Sequence, residues 1–214
     1  MKETLKDRAY RELCEKIINL EYPPNTLLSE EQICQDLNIT RTPVREAIIN
    51  LQQDKLITVL PKKGLLITPI TLETVDNFFE IRLLIEPYLI SRYGSNAKKE
   101  DLRQLHQRFL ESDSLIYTME DEVRMDEAFH NYIWSLNQNE MLQQLFKQMF
   151  FQNHRIGLIV GKSIYNRMSD SRKEHLDIIS AFESGDFDRT NELLIQHLNT
   201  AHEAARMVFS SLPF

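Results

Sequence analysis

Residues 28–64 read LSEEQICQDLNITRTPVREAIINLQQDKLITVLPKKG, and this stretch decides the architecture of the first third of the chain. Ser29 predicts an N-cap, and Ile33, Cys34 and Leu37 alternate at helical spacing with the polar Glu31, Gln32 and Gln35. Asn38 is suited to the left-handed conformation that closes a helix. Thr40 then offers a second N-cap, with Pro43 inside the first turn, where its missing N–H costs nothing. Val44, Ala47, Ile48 and Leu51 follow at i, i+3, i+4 and i+7, one apolar stripe. Thr42, Arg45 and Glu46 fall away from that stripe, Arg41 sits near the exposed N-terminal end, and Ile49 also lies off it.

Two short helices joined by a tight turn form a helix-turn-helix, whose second helix presents its N-terminal residues to a DNA major groove. Two β-like runs follow, Ile57-Thr58-Val59 and Leu65-Leu66-Ile67, separated by Pro61-Lys62-Lys63-Gly64. That pattern predicts a wing, a hairpin with two cations and a flexible glycine at its tip. A structural hairpin with solvated arginines fits the helical pattern equally well. The wing and the two caps in succession favour DNA binding.

This segment resembles the winged helix-turn-helix of the GntR family of transcription regulators, over about residues 5 to 68, with TRTPVREA as the most specific run. The resemblance implies an operator-binding head. Arg41 and Arg45 would contact guanines or phosphates, Thr40 and Thr42 the DNA backbone, and Lys63 with Gly64 the edge of a minor groove. Some members carry a basic DNA-contacting residue where Glu31 stands, so that contact is not implied here.

Outward from this core, the first helix is predicted from about Glu3 to Leu20, with Leu5, Ala9, Leu13 and Ile17 repeating every four residues. Tyr22-Pro23-Pro24-Asn25 turns the chain, and Thr68-Pro69-Ile70-Thr71 reads as a linker with Thr71 capping a new helix. Beyond it the pattern is helical, over about 72–92, 98–116, 120–136, 139–161, 170–183 and 187–211. The expected fold is mainly α, a winged helix-turn-helix domain (1–69) joined to an all-α antiparallel bundle of six or seven helices (70–214). Met141-Leu142, Leu145-Phe146 and Met149-Phe150 form a thick apolar stripe expected in the bundle core, with Trp134 packed beside it.

The net charge of −7 is unevenly placed. Residues 1–70 hold ten Lys/Arg and ten Asp/Glu, so all the excess acid lies beyond residue 70. DNA binding through counterion release needs only a local basic patch, and Arg41, Arg45, Lys62 and Lys63 supply one. Cys14 and Cys34 sit at core-facing helical positions without a CxxC spacing, which points to a reducing cytoplasm and a packing role. The charged N-terminus is no signal peptide, and no apolar run approaches the roughly 18 residues that would span a membrane.

In the second part, Asp126 and His130 are four apart on one helix, His175 opens a later helix and His197 lies in the last. One carboxylate and three imidazoles would suit Zn²⁺, Ni²⁺ or Mn²⁺. His202 is turned roughly 140° from His197, and His106 and His154 have no evident partners. On spacing alone an Asp/His pair is more often a surface hydrogen bond. However, MDEAFHNYI, KEHLDIISAFESGD and ELLIQHL resemble the ligand-bearing segments of the FCD domain of FadR-like GntR regulators, and EIRLLIEPYLISR resembles its opening helix.

That resemblance implies Asp126, His130, His175 and His197 as metal ligands, zinc foremost, although one fatty-acyl branch of the subgroup lacks the metal. It also implies a small carboxylate-bearing metabolite as effector, with Arg82, then Arg155, as the cation that grips it. The function so implied is a cytoplasmic, ligand-responsive regulator, most often a repressor, that binds a palindromic operator as a homodimer. Two alternatives stay open: a metal-dependent enzyme built on the same Asp/His cluster, and a regulator whose bundle only dimerises.

Overall fold

The computed structural model describes residues 3–112, 117–164 and 167–212. The chain divides into two compact units, Met1–Ile70 and Thr71–Pro213.

The N-terminal unit begins with helix α1 (Leu5–Ile18), capped by Thr4, whose hydroxyl accepts from the Asp7 N–H. Ala9, Leu13, Cys14 and Ile17 are buried along it, whereas Leu5 is 56% exposed. The four-residue repeat therefore overstates the buried stripe, because Leu5, the first residue of the helix, stands in solvent. Helix α2 (Glu30–Leu37) starts at Ser29, whose side chain accepts from the Gln32 N–H, and stops at Asn38 in the left-handed region (φ 51°, ψ 46°). Such a cap contributes about 1 kcal/mol. Helix α3 (Arg41–Gln53) buries Val44, Ala47, Ile48 and Leu51, as their spacing predicts, and Pro43 lies in its first turn. Cys34 is only half-buried.

Strands β2 (Ile57–Leu60) and β3 (Gly64–Ile67) form the expected antiparallel wing, with Leu60 paired to Gly64 and Ile57 to Ile67. A third strand, β1 (Leu27–Leu28), pairs antiparallel with β3 and gives the sheet order β1-β3-β2. Two consecutive leucines carry no alternation, so nothing in the sequence marks them as a strand. This extra strand explains Gly64. Its φ is +113°, and a Cβ there would lie 2.5 Å from the Leu28 carbonyl oxygen. The glycine is thus required by the close approach of β1 as well as by the turn.

The second unit is helical among the described residues: α4 (Leu72–Tyr93), α5 (Lys99–Glu111), α6 (Met119–Ser135), α7 (Glu140–Ser163), α8 (Arg167–Ser184) and α9 (Phe187–Ser211). Thr71 with Thr74 and Thr118 with Asp121 form capping boxes at the starts of α4 and α6. The expected helix over 98–116 runs only to Glu111 in α5, and its last four residues lie outside the described residues. Helix α8 begins at Arg167 rather than near 170, immediately after residues 165–166, which also lie outside them.

Helix α4 packs along α9 and also meets α6, while α8 packs on α5, α6 and α9. Trp134 is buried and stacks on Phe146. The stripe on α7 is not core along its whole length: Met149 is buried, but Met141 is 80% exposed and Leu142, Leu145, Phe146 and Phe150 are half-buried. No helix among the described residues is long and apolar enough to cross a membrane.

Candidate functional site

Two regions concentrate the polar chemistry. On the N-terminal unit, the buried face of α3 leaves Arg41, Thr42 and Arg45 exposed, with Thr40 exposed just ahead of them. Thr40 has extended backbone (φ −69°, ψ 162°) and makes no side-chain capping bond, so its hydroxyl is uncommitted to the helix it precedes. The Arg45 Nε donates to Glu30 at 2.8 Å across the turn between α2 and α3. Lys62 and Lys63 are exposed in the wing turn, where Lys62 takes a left-handed φ of 63° and the Lys63 N–H donates to the Leu60 carbonyl. Glu31 is exposed on the first turn of α2.

Within the helical unit, Asp126 and His130 from α6, His175 from α8 and His197 from α9 each bring one ligand atom to a common centre, all within 4.8 Å of one another. The His130 and His175 Nε2 atoms face each other at 3.2 Å, and Asp126 Oδ1 lies 3.8 and 3.5 Å from them respectively. At that separation at most one of the two nitrogens carries a proton. The centre is therefore rich in lone pairs, the environment that a cation fills.

Each imidazole is held from behind. His130 Nδ1 donates to Glu86 Oε2 at 2.7 Å, His197 Nδ1 to Glu174 Oε2 at 2.6 Å, and His175 Nδ1 lies 3.4 Å from the Ser171 hydroxyl. Carboxylate and hydroxyl partners of this kind set the tautomer, turning Nε2 toward the common centre. Burial, with His197 beside it, pushes the His175 pKa well down; burial also lowers that of His197 despite its bond to Glu174. Burial raises the Asp126 carboxyl, but the His130, His175 and Arg82 charges overcome that and hold it below the usual carboxylate range. A divalent ion needs deprotonated ligand atoms, and the lowered His175 and His197 and the lowered Asp126 all move in that direction. The donor set fits one.

Sequence reading missed Glu86 and Glu174. Glu86 is 1% exposed and accepts from Arg82 Nε (2.8 Å), His130 Nδ1 and Trp134 Nε1 (3.3 Å). Burial pushes its carboxyl up, yet Arg82 and His130 hold it down at about 2. Its place one turn after Arg82 was the available signal. Glu174 precedes His175 in sequence but serves His197 and also receives both terminal nitrogens of Arg167 at 3.2 Å.

A cavity of about 490 Å³, counted with its mouth, opens beside the cluster and is lined on its polar side by Arg82, Asp126, Asn153, Arg167 and Ser171. Arg82 donates through Nη1 to Asn153 Oδ1 at 3.0 Å, while its buried Nη2 has no hydrogen-bond partner. The cavity lining includes Arg82 but not Arg155, the second cation expected there. Arg155 is fully buried, and burial lowers its guanidinium to about 10. Arg167, which sequence reading passed over, occupies the wall instead.

The other histidines fall elsewhere. Glu127, next to Asp126, is turned from the cluster onto His154 (2.9 Å), His106 meets Glu183 (3.3 Å), and His202 stacks on Phe79 and bonds Asp76.

Comparison with known proteins matches both regions. The profile described as bacterial regulatory proteins, gntR family, covers residues 5–67, and that of the FCD domain covers residues 77–200. The HTH-type transcriptional repressor RspR of Escherichia coli (strain K12) is 26% identical over 211 residues, spanning 96% of this chain and 91% of that protein. A GntR transcriptional regulator from Rhodococcus sp. RHA1 has a similar structure, with a TM-score of 0.80 at 19% identity over 97% of this chain and 99% of that one. E. coli McbR/YncC gives 0.74 at 16% identity, over 92% and 94%. At these identities the structural matches speak to fold.

Proposed function

Because the chain belongs to the gntR family of bacterial regulatory proteins and carries an FCD domain, we propose that it is a ligand-responsive repressor. In this reading it binds a palindromic operator as a homodimer in the cytoplasm and senses a small organic acid at a metal centre in its helical unit. That it is a transcription regulator and not an enzyme follows from the family; its action as a repressor is suggested by the relative that bears that name.

The observation that carries the sensing half is the convergence of Asp126, His130, His175 and His197 within 4.8 Å, with Glu86 and Glu174 braced behind two of the rings. Those four residues would hold the ion. Zinc suits a set of three imidazoles and one carboxylate best, and nickel or manganese accept the same donors. Once bound, the ion supplies a Lewis-acidic seat for a carboxylate oxygen. Arg82 supplies a hydrogen-bond donor for the second oxygen, since its buried Nη2 still lacks an acceptor. Among the described residues, the carboxylates nearest the cluster are committed and leave the enzyme reading no base. Glu127 is bonded to His154, and Glu86 and Glu174 are bonded to the ligand imidazoles.

In the reading half, Arg41 and Arg45 address guanines or phosphates, Thr40 and Thr42 the DNA backbone, and Lys63 with Gly64 a groove edge. An acid that binds one arrangement of the dimer better than the other changes operator affinity by the same factor. For Arg45→Ala, loss of a bidentate guanine contact should cost about 1–3 kcal/mol of specific binding. Unfolding should shift by less than about 0.5 kcal/mol. Gel-shift titration against the operator, paired with urea unfolding, tests this; undiminished specific binding removes Arg45 from the reading face. Chelation of the purified protein separates the remaining alternatives. A lost ligand response supports sensing, and an unchanged one leaves a bundle that only dimerises.

A further inference from the structure

We propose that the effector of this chain is a monocarboxylic acid with a compact apolar body, as opposed to a dicarboxylate or a polyhydroxylated acid. The proposal rests on the organic-acid reading above and specifies the class of acid.

Charge balance is the first ground. A divalent ion set against the single Asp126 carboxylate, with three imidazoles as its other ligands, leaves one positive charge. The two guanidiniums on the cavity wall are already matched, Arg82 by Glu86 at 2.8 Å and Arg167 by Glu174 at 3.2 Å. One carboxylate closes this balance. A second would enter a buried site with no cation left to meet it.

The second ground is the inventory of donors. Asn153 accepts from Arg82 and donates to Asp126 (3.3 Å), and the Ser171 hydroxyl faces His175. Both terminal nitrogens of Arg167 are on Glu174. Among the described residues lining the cavity, Arg82 Nη2 is the buried polar atom with no hydrogen-bond partner. One orphaned donor beside one cation site matches the two oxygens of one carboxylate.

Apolar lining is the third. Beyond the polar side, the wall consists of Phe79, Val123, Ile156, Val160, Met168 and Ala205, of which all but the half-buried Met168 are buried. None of these side chains can hydrogen-bond, so a hydroxyl or second carboxylate placed among them is buried unpaired. An alkyl or aryl body instead gains from leaving water.

The test is calorimetric titration of the full chain loaded with zinc, using hexanoate and benzoate against succinate and gluconate. Hexanoate or benzoate should bind at least about tenfold tighter than either polar acid, the penalty expected for one buried unpaired group. Ala201 on α9 also lines the cavity, so Ala201→Phe, which narrows it there, should weaken hexanoate at least about tenfold while leaving acetate within about twofold. Zinc content reports that this variant keeps its fold and its ion. Succinate or gluconate binding as tightly as hexanoate overturns the proposal but leaves the organic-acid reading intact. Unchanged hexanoate affinity in Ala201→Phe overturns it as well. If the zinc-loaded chain binds none of these acids, the organic-acid reading falls and takes this inference with it.

Discussion

In the N-terminal unit, Arg41, Thr42, Arg45 and Lys63 stand in solvent over a core of Ala9, Leu13, Ile33, Val44 and Leu51 that does not involve them. In the helical unit, Arg82, Glu86, His130, His175 and His197 are between 1 and 4% exposed and are themselves part of the core. The difference fits what each unit is proposed to recognise. A duplex is larger than the head and is met from outside, so the reading side chains can be exposed and its stability left to other residues. A small acid and an ion, as proposed for the second unit, would have to be enclosed, so polar groups go inside, and each then requires a partner. Function and stability are therefore separable in the first unit and coupled in the second.

The sharpest way to break this contrast is Glu86→Ala. It leaves Arg82 buried without its counter-charge and removes the acceptor for His130 and Trp134, so unfolding of the helical unit should lose about 3–5 kcal/mol. A urea midpoint that hardly moves would mean the polar network contributes nothing to stability. Glu174→Gln comes next. Weakening the partner of His197 should lower zinc affinity about 10- to 100-fold, read by competition with a chromogenic chelator. Wild-type affinity in that variant would show that the ring is positioned without it.

Gly64→Ala probes the head by its one steric weak point. Forcing a Cβ toward the Leu28 carbonyl at positive φ should cost the N-terminal unit about 1–3 kcal/mol. Zinc affinity should stay unchanged, and a coupled loss would show that the wing turn bears on the proposed metal centre. The smallest effect is expected from Glu30→Gln. The Arg45–Glu30 pair is exposed, so its loss should alter stability by less than about 1 kcal/mol while making Arg45 easier to engage by phosphate or guanine. Weaker operator binding in this variant would instead show that Glu30 aims the guanidinium.

Legibility followed the range of the interactions. The Ser29 and Thr71 caps, the left-handed Asn38 and the wing are local, set by residues near one another in sequence, and they appear as the sequence predicts, whereas Thr40 precedes α3 without a side-chain capping bond. Strand β1 was invisible because its reason for being a strand is β3, more than thirty residues away. The α7 stripe misled for a related reason. Apolar periodicity says that a helix has a face to bury, not how far along its length a neighbour extends, and near Met141 little covers it. The positions of Asp126, His130, His175 and His197 were found by resemblance to the FCD ligand segments; spacing offered only the first pair.

What the residue order settled is the helical and winged character of the two units, because caps, turns and periodicity act between near neighbours. The fold added what no local pattern encodes: that three helices aim four ligand atoms at a common point, that Glu86 and Glu174 brace the rings from behind, and that Arg167 rather than Arg155 shares the cavity wall with Arg82. Those facts depend on how helices distant in sequence are rotated against each other, and that rotation is set by the packing of the whole core.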